Sequence, residues 1–340
     1  MGGLCGKAQR DLPQGVERVM ELTPIKMRAC YKEYLWGGTR LKPDFGKSDA
    51  PDVTAESWEL AAHPDGVSTG ADGLYAGKTL LDFAALDRDA FWGKACRNDT
   101  FPLLVKLIDA EKDLSIQVHP SDETALAEKG EQGKAEMWYI VDAKPNAAIY
   151  YGFSQKISKD EFIRRAQDGT ICEVLGRVPV SRGDVFFILP GTIHAIGAGI
   201  VIAEIQQNSN TTFRVYDYLR RGADGKLRPL HLERAAEVLD DTPVLPSECR
   251  ANNSLYLPEF TLSEMFSCEY FRAYCIDVRE AITLCCDGSS FHHLLCVEGA
   301  GTIGHQGKEY PFTKGESYFM PAQSGEYIIR GKSRVLLSMV

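Results

Sequence analysis

The chain has 340 residues, with 47 acidic against 38 basic side chains and a formal net charge of −9 at pH 7. That acidic excess argues against nucleic acid or an anionic membrane surface as the main partner, because either favours a basic surplus. No run of about 18 apolar residues exists, and the opening "MGGLCGKAQRDLPQGVERVME" lacks the apolar core of a signal peptide, so the expected location is cytoplasmic.

Residues 1 to 20 are polar and aperiodic and read as a disordered extension. From "PIKMRACYKEYLWGGTRL" to "AESWELAAHPDGVSTGADG", short aromatic and β-branched runs alternate with Gly, Asp and Pro, the pattern of strands joined by turns. "TLLDFAALDRDAFWGKAC" has apolar residues at three- and four-residue spacing and predicts a helix. In "SIQVHPSDE", an extended backbone puts Ser115, Gln117 and His119 on one face and Ile116 and Val118 on the other. One solvated face explains such a triplet as readily as a site does, so the rest of the chain has to decide.

A short helix leads to "GKAEMWYIVDA", where the same period puts Lys134 and Glu136 on one face. "SKDEFIRRAQDG" predicts a helix with a Ser158 to Glu161 capping box and a stop at Gly169, and "PLHLERAAEVLDD" predicts a third. Between them lie His194 and "IAEIQQNSNTTFRVYDY", in which Glu204 and Gln206 share a face and Arg214 follows ten residues after Glu204. "DTPVLPSECRANNS", residues 241–254, reads as a linker, and beyond it the chain is short strand and turn. Ten cysteines are scattered without a C-x-x-C pair and are read as reduced. Five of them lie between Cys268 and Cys296, which raises a thiolate metal site, but small buried hydrophobes is the simpler account.

His119, Glu136 and His194 would give a metal two neutral nitrogens and one carboxylate, with Gln117 able to add an amide oxygen. That set suits a catalytic zinc, because a single anionic ligand leaves the ion positively charged and an open position can take water or a substrate oxygen. Each residue alone carries little weight, since a lone strand histidine is usually structural and a lone glutamate solvated.

Two segments share a rhythm: "RGDVFFILPGTIHAIGAG" and "KGESYFMPAQSGEYIIRG" each run Gly, acidic residue, apolar strand, Pro, then turn and strand. This resembles a duplicated cupin, or jelly-roll, module, and only the first copy keeps a histidine after the turn. More specifically, "FPLLVKLIDAEKDLSIQVHPSDETALAEKGEQGKAEMWYI" and "PGTIHAIGAGIVIAEIQQNSNTTFRVYDY", with "WGG" at 36–38 and "ESWE" at 56–59, resemble the type I mannose-6-phosphate isomerases in their short bacterial form. The resemblance runs from about residue 24 to the end.

It implies a mainly β protein of two cupin-like jelly-roll β-barrel modules with a few inserted helices: a catalytic module at 21–245 and a metal-free one at 246–340. It also implies one zinc per chain on Gln117, His119, Glu136 and His194, and it matches the family's active-site arginine to Arg214 and its lysine to Lys134. Lys106 and Ser115 match substrate-side positions, and Glu204 falls at the family spacing before the arginine. Two departures stand out: long-form members have Lys-Pro-Glu where this chain has Lys134, Ala135 and Glu136, and an aspartate often four residues before the arginine is here Asn210.

The expected activity interconverts mannose 6-phosphate and fructose 6-phosphate through an enediol. Arg214 would stand near the developing oxyanion, Lys134 or Glu204 would be the base, and Lys106 and Ser115 would contact phosphate or sugar. The adjacent His292 and His293 face opposite ways on a strand and make poor joint ligands, so no metal is expected in the second module. A cupin-type iron dioxygenase is one alternative, because two histidines and a carboxylate also make an iron triad. A non-catalytic sugar-phosphate-binding cupin is another. The expected partner is a small sugar phosphate, and the choice between monomer and homodimer stays open.

Overall fold

The computed structural model describes residues 20–97, 99–129, 131–222, 224–244 and 253–340. The expected extension therefore lies outside the described residues apart from Met20, as does the middle of the expected linker. Among the described residues no helix is long and apolar enough to cross a membrane.

The protein is built mostly of strands, as its alternating sequence predicts. A six-stranded antiparallel sheet runs in the order Val185–Ile188, Glu136–Ala143, Ile200–Gln207, Leu103–Ala110, Glu56–Leu60, Cys30–Lys32. A five-stranded sheet runs Leu175–Pro179, Ala148–Phe153, His194–Ala195, Ile116–Val118, Phe213–Tyr216.

The two-residue period explains how these sheets stack. In Leu103–Ala110 every residue is buried, but Leu103, Val105 and Leu107 enter one apolar core while Lys106, Ile108 and Ala110 face the other way. Glu136–Ala143 behaves alike, with Met137, Tyr139 and Val141 in the first core and Trp138 and Ile140 in the second. That second core also holds Ile149, Tyr151 and Val178 of the five-stranded sheet, so it fills the space between the two sheets. Both long strands are thus buried on two faces, which is why they read as nearly continuous apolar runs.

Helices cover the outer face of the five-stranded sheet. Lys159–Asp168 starts at Ser158, whose side chain accepts from the Glu161 amide, and ends at Gly169 with φ of 81°, the left-handed stop glycine adopts most easily. Phe162 and Ala166 from this helix, with Leu232 and Ala235 from Leu232–Val238, pack on Ile116, Val118, Phe213 and Val215. The outward face of "SIQVHPSDE" is therefore apolar and covered, and its polar face turns inward.

The third sheet gathers the C-terminal strands from Asn253–Tyr256 to Ser333–Met339, but it also takes in Ile25–Arg28, which pairs with Ser317–Met320 in the register Ile25↔Phe319. The sheets thus do not divide where the sequence suggests a division at 245/246, because an N-terminal strand closes the C-terminal sheet. Beneath it Phe83, Phe91, Phe101, Phe291 and Phe319 stack with centroid separations of 5.0–6.4 Å. The eight cysteines among the described residues are all free, as expected from a chain without paired spacing.

Candidate metal centre and active-site cleft

Strand register brings the sequence-separated candidates together. His194 pairs with Gln117, Arg214 pairs with Gln117 from the other side, and Gln206 pairs with Glu136 across the facing sheet. His119, just beyond its strand, reaches the same space, so His119, Glu136 and His194 form a buried triad whose ligand atoms lie within 4.8 Å of one another.

The hydrogen bonds around the triad suit a metal. Nδ1 of His119 lies 3.0 Å from the Thr211 carbonyl oxygen, and Nδ1 of His194 lies 2.8 Å from that of Thr192. A carbonyl only accepts, so each Nδ1 donates and each Nε2 lone pair points into the site. Those Nε2 atoms stand 3.5 and 3.3 Å from the two Glu136 carboxylate oxygens. Both oxygens are buried without a well-aligned hydrogen bond, and the Lys134 ammonium, 3.2 Å from Glu136 and 3.2 Å from His119 Nε2, supplies positive charge among these lone pairs.

Burial pushes Glu136 up to about 8 and lowers His194 to about 4. It lowers His119 well below the usual imidazole value, with the Lys134 charge adding to the effect. Neutral imidazoles and an undercompensated carboxylate are what a divalent cation ligates. Gln117 borders the triad with its Nε2 3.4 Å from His194 Nε2, and a half-turn of the amide would present its oxygen instead.

Next to the triad, on the far side of Gln117 and Lys134, lies a cleft of about 240 Å³ lined by Lys106, Ser115, Gln117, Lys134, Glu204 and Arg214. Lys106 is 3 % exposed, with Nζ 2.8 Å from Glu204 and 3.8 Å from Glu56. Burial alone would raise Glu204, but the Lys106 and Lys134 charges overcome it and hold this carboxyl low, helped by the Trp138 indole N–H donating at 3.0 Å. Ser115 Oγ lies 3.5 Å from Gln117 Oε1. Arg214 is partly buried; its Nη1 donates to the Pro229 carbonyl at 2.9 Å while its Nε is buried without a partner.

All nine residues singled out from the sequence therefore meet at one place. Other cleft residues were less visible: Tyr34, Trp36 and Glu56 entered only inside quoted stretches, and Arg228 not at all. Glu56 heads a strand in which all five residues are buried, and its carboxylate accepts from the Trp58 indole N–H at 2.6 Å and faces Lys106 at 3.8 Å. Asn210 also lines the cleft, and its amide donates to Asp65 at 2.7 Å, so the position that departs from the family carries a paired amide.

The family models for the catalytic domain of type I phosphomannose isomerase and for the cupin domain of mannose-6-phosphate isomerase match residues 25–151 and 261–340. Mannose-6-phosphate isomerase ManA of Bacillus subtilis is 38 % identical over 320 residues, covering 94 % of this chain and 99 % of that protein. The chain belongs to the type I phosphomannose isomerases. The crystal structure of a Bacillus subtilis mannose 6-phosphate isomerase superposes on it with a TM-score of 0.86 at 36 % identity, covering 93 % of this chain and 99 % of the other. A mannose 6-phosphate isomerase crystallised with zinc and yttrium shares the fold, with a TM-score of 0.73 at 18 % identity over 93 % of this chain and 98 % of the other. Among the described residues the buried His119, Glu136 and His194 triad is a group that could hold a metal ion.

Proposed function

We propose that the chain interconverts mannose 6-phosphate and fructose 6-phosphate with one zinc ion per chain, held by Gln117, His119, Glu136 and His194. The observation that carries this reading is the buried triad beside a cleft lined by Gln117, Lys106, Lys134 and Arg214. Zinc held by that donor set would supply a Lewis acid with no redox chemistry of its own, able to counter negative charge on the sugar oxygens.

The reaction takes the proton from C2, leaves an enediol, and returns a proton to C1, while a hydroxyl proton passes from O2 to O1. Lys134 is the mobile proton carrier. Glu204, held ionised by Lys106 and the Trp138 indole, keeps the Lys106 ammonium fixed toward the sugar. Arg214 supplies a fixed fork of donors to the developing oxyanion, and its unpaired Nε is the N–H free to do so. Ser115 contacts the substrate from beside Gln117. Residues 21–245 carry this chemistry, and 246–340 form a metal-free module that shapes and supports it.

A coupled assay of mannose 6-phosphate conversion, before and after chelation and with Zn²⁺ or Fe²⁺ restored, tests the reading. Turnover abolished by chelation and restored by zinc is expected. Restoration by iron alone with oxygen uptake would assign the same triad to a dioxygenase. Sugar phosphate binding without turnover in the metal-loaded protein would leave a binding protein.

A further inference from the structure

The cations of the cleft divide into two groups. Lys106 and Lys134 at the metal end are each matched by buried carboxylates, Glu204 and Glu56 for the first and Glu136 for the second. Arg214, Arg220 and Arg228, by contrast, stand around a single carboxylate, Asp217, which is 4 % exposed. Arg220 takes Asp217 in a close ion pair and also donates to the Asp113 carbonyl. Arg228, which lines the cleft, reaches the same carboxylate only at 3.3 and 3.4 Å, long for a charge-assisted bond. Positive charge is therefore in surplus around Asp217.

The position of Arg228 is built rather than incidental. The segment that follows it is fastened to Arg214 by three hydrogen bonds: His231 N–H to the Arg214 carbonyl at 2.8 Å, Arg214 N–H to His231 Nδ1 at 3.0 Å, and Arg214 Nη1 to the Pro229 carbonyl at 2.9 Å. Arg214 itself stands opposite Gln117 in the sheet, beside the metal end. The strap thus sets a second guanidinium next to the first, and burial, then their repulsion, lowers Arg214 from its ordinary value.

We infer that Arg228 is the cation that binds the phosphate group of the substrate and sets the preference for phosphorylated over free hexose. This rests on the sugar-phosphate reading above. The reacting C1 and C2 lie at one end of the hexose and the C6 phosphate at the other, so carbons at the triad direct the dianion away from it. Near Lys106 a phosphate would meet Glu56 and Glu204, whereas beside Arg228 it meets a guanidinium that shares one carboxylate with two others. A planar fork suits a phosphate's oxygens, and the weak Asp217 contact leaves Arg228 donors to give.

The test is calorimetric titration of inorganic phosphate into the zinc-loaded wild type, Arg228→Gln and Arg228→Lys, with folding checked by circular dichroism. Arg228→Gln should weaken phosphate about 10- to 100-fold, as loss of charged hydrogen bonds does, and Arg228→Lys should recover part of it. In turnover, the Arg228→Gln loss should fall on KM for mannose 6-phosphate more than on kcat, and discrimination against free mannose should shrink. Equal phosphate affinity in wild type and Arg228→Gln would overturn the inference, since the anion would then sit elsewhere. The titration needs no turnover, so a wild type that binds phosphate through Arg228 yet isomerises nothing would sink the isomerase reading alone. If Arg228→Gln does not fold, Arg228→Lys decides: undiminished phosphate affinity and an unchanged KM would count against bidentate recognition.

Discussion

At the scale of the residue, the site is a competition between burial and charge, and two outcomes follow. Glu136 is raised to about 8 by burial, so between the ordinary carboxylate value and about pH 8 the folded metal-free protein holds a proton that the unfolded chain releases. Its contribution therefore makes the metal-free protein less stable as pH rises through that window, and a bound cation removes the effect by taking the proton's place. The rise in Tm on adding zinc should accordingly grow from pH 6 to pH 8 in a thermal-shift series; a rise that shrinks over this range would contradict the buried-carboxylate account. The second outcome separates the two candidate bases. Glu204 is locked between Lys106 and Trp138, whereas the Lys134 ammonium sits among the metal-site lone pairs. Lys134→Ala should lower kcat by about 10²- to 10⁴-fold, the range expected for losing a general acid–base group, and Glu204→Gln by less. The reverse order in steady-state kinetics would assign the proton transfer to Glu204.

At the scale of the element, the helices carry stability and leave chemistry to the strands. Leu80–Phe91 begins at Thr79 with both halves of a capping box, since Thr79 Oγ1 accepts from the Asp82 N–H and the Asp82 carboxylate accepts from the Thr79 N–H at 2.8 Å. This helix delivers Phe83 and Phe91 to the core shared with Phe319. Thr79→Ala should cost about 1 kcal/mol in a denaturant titration, with kcat/KM unchanged, because no cleft residue lies on this helix. Helix starts and stops such as Thr79, Ser158 and Gly169 are local signals, so the sequence shows them. Strand faces are legible too, up to a point: alternation correctly pairs Ser115 with Gln117 and Lys134 with Glu136, but it does not say which face meets water. In Ile116–Val118 that choice was made by two helices from residues 159–168 and 232–238, far along the chain. Arg228 shows the limit most plainly, because it is placed by a loop strapped to Arg214 and loops carry no period to read.

At the scale of the whole molecule, the boundary at residue 245/246 marks a change in the sequence, not a place where the structure comes apart. Ile25–Arg28 is hydrogen-bonded to Ser317–Met320, and one apolar core joins Leu103, Val105 and Met137 to Phe271, Phe291, Phe319 and Leu336. At the same junction Lys47 and Glu59 form a buried ion pair at 2.7 Å, and Glu59 also accepts from Ser57 at 2.6 Å and from Ser317 at 3.3 Å. The strand bearing Glu59 turns Glu56 and Trp58 toward Lys106, so the wall of the cleft and the junction are opposite faces of one strand. Removing residues 246–340 would strip the cover from that core, leave the Ile25–Arg28 strand with Thr69–Gly70 as its one strand partner and bring a buried ion pair into water. Apolar area of that extent outweighs anything the remaining turns and helix caps contribute, since each large buried side chain is worth about 1.5–3 kcal/mol. A chain ending at residue 245 should therefore be insoluble or lack the near-ultraviolet circular dichroism of fixed aromatic packing, and should show no zinc-dependent turnover, although all four proposed ligands are still present. Native near-ultraviolet dichroism and turnover in that fragment would mean that the first module folds on its own and that the shared core is only a contact.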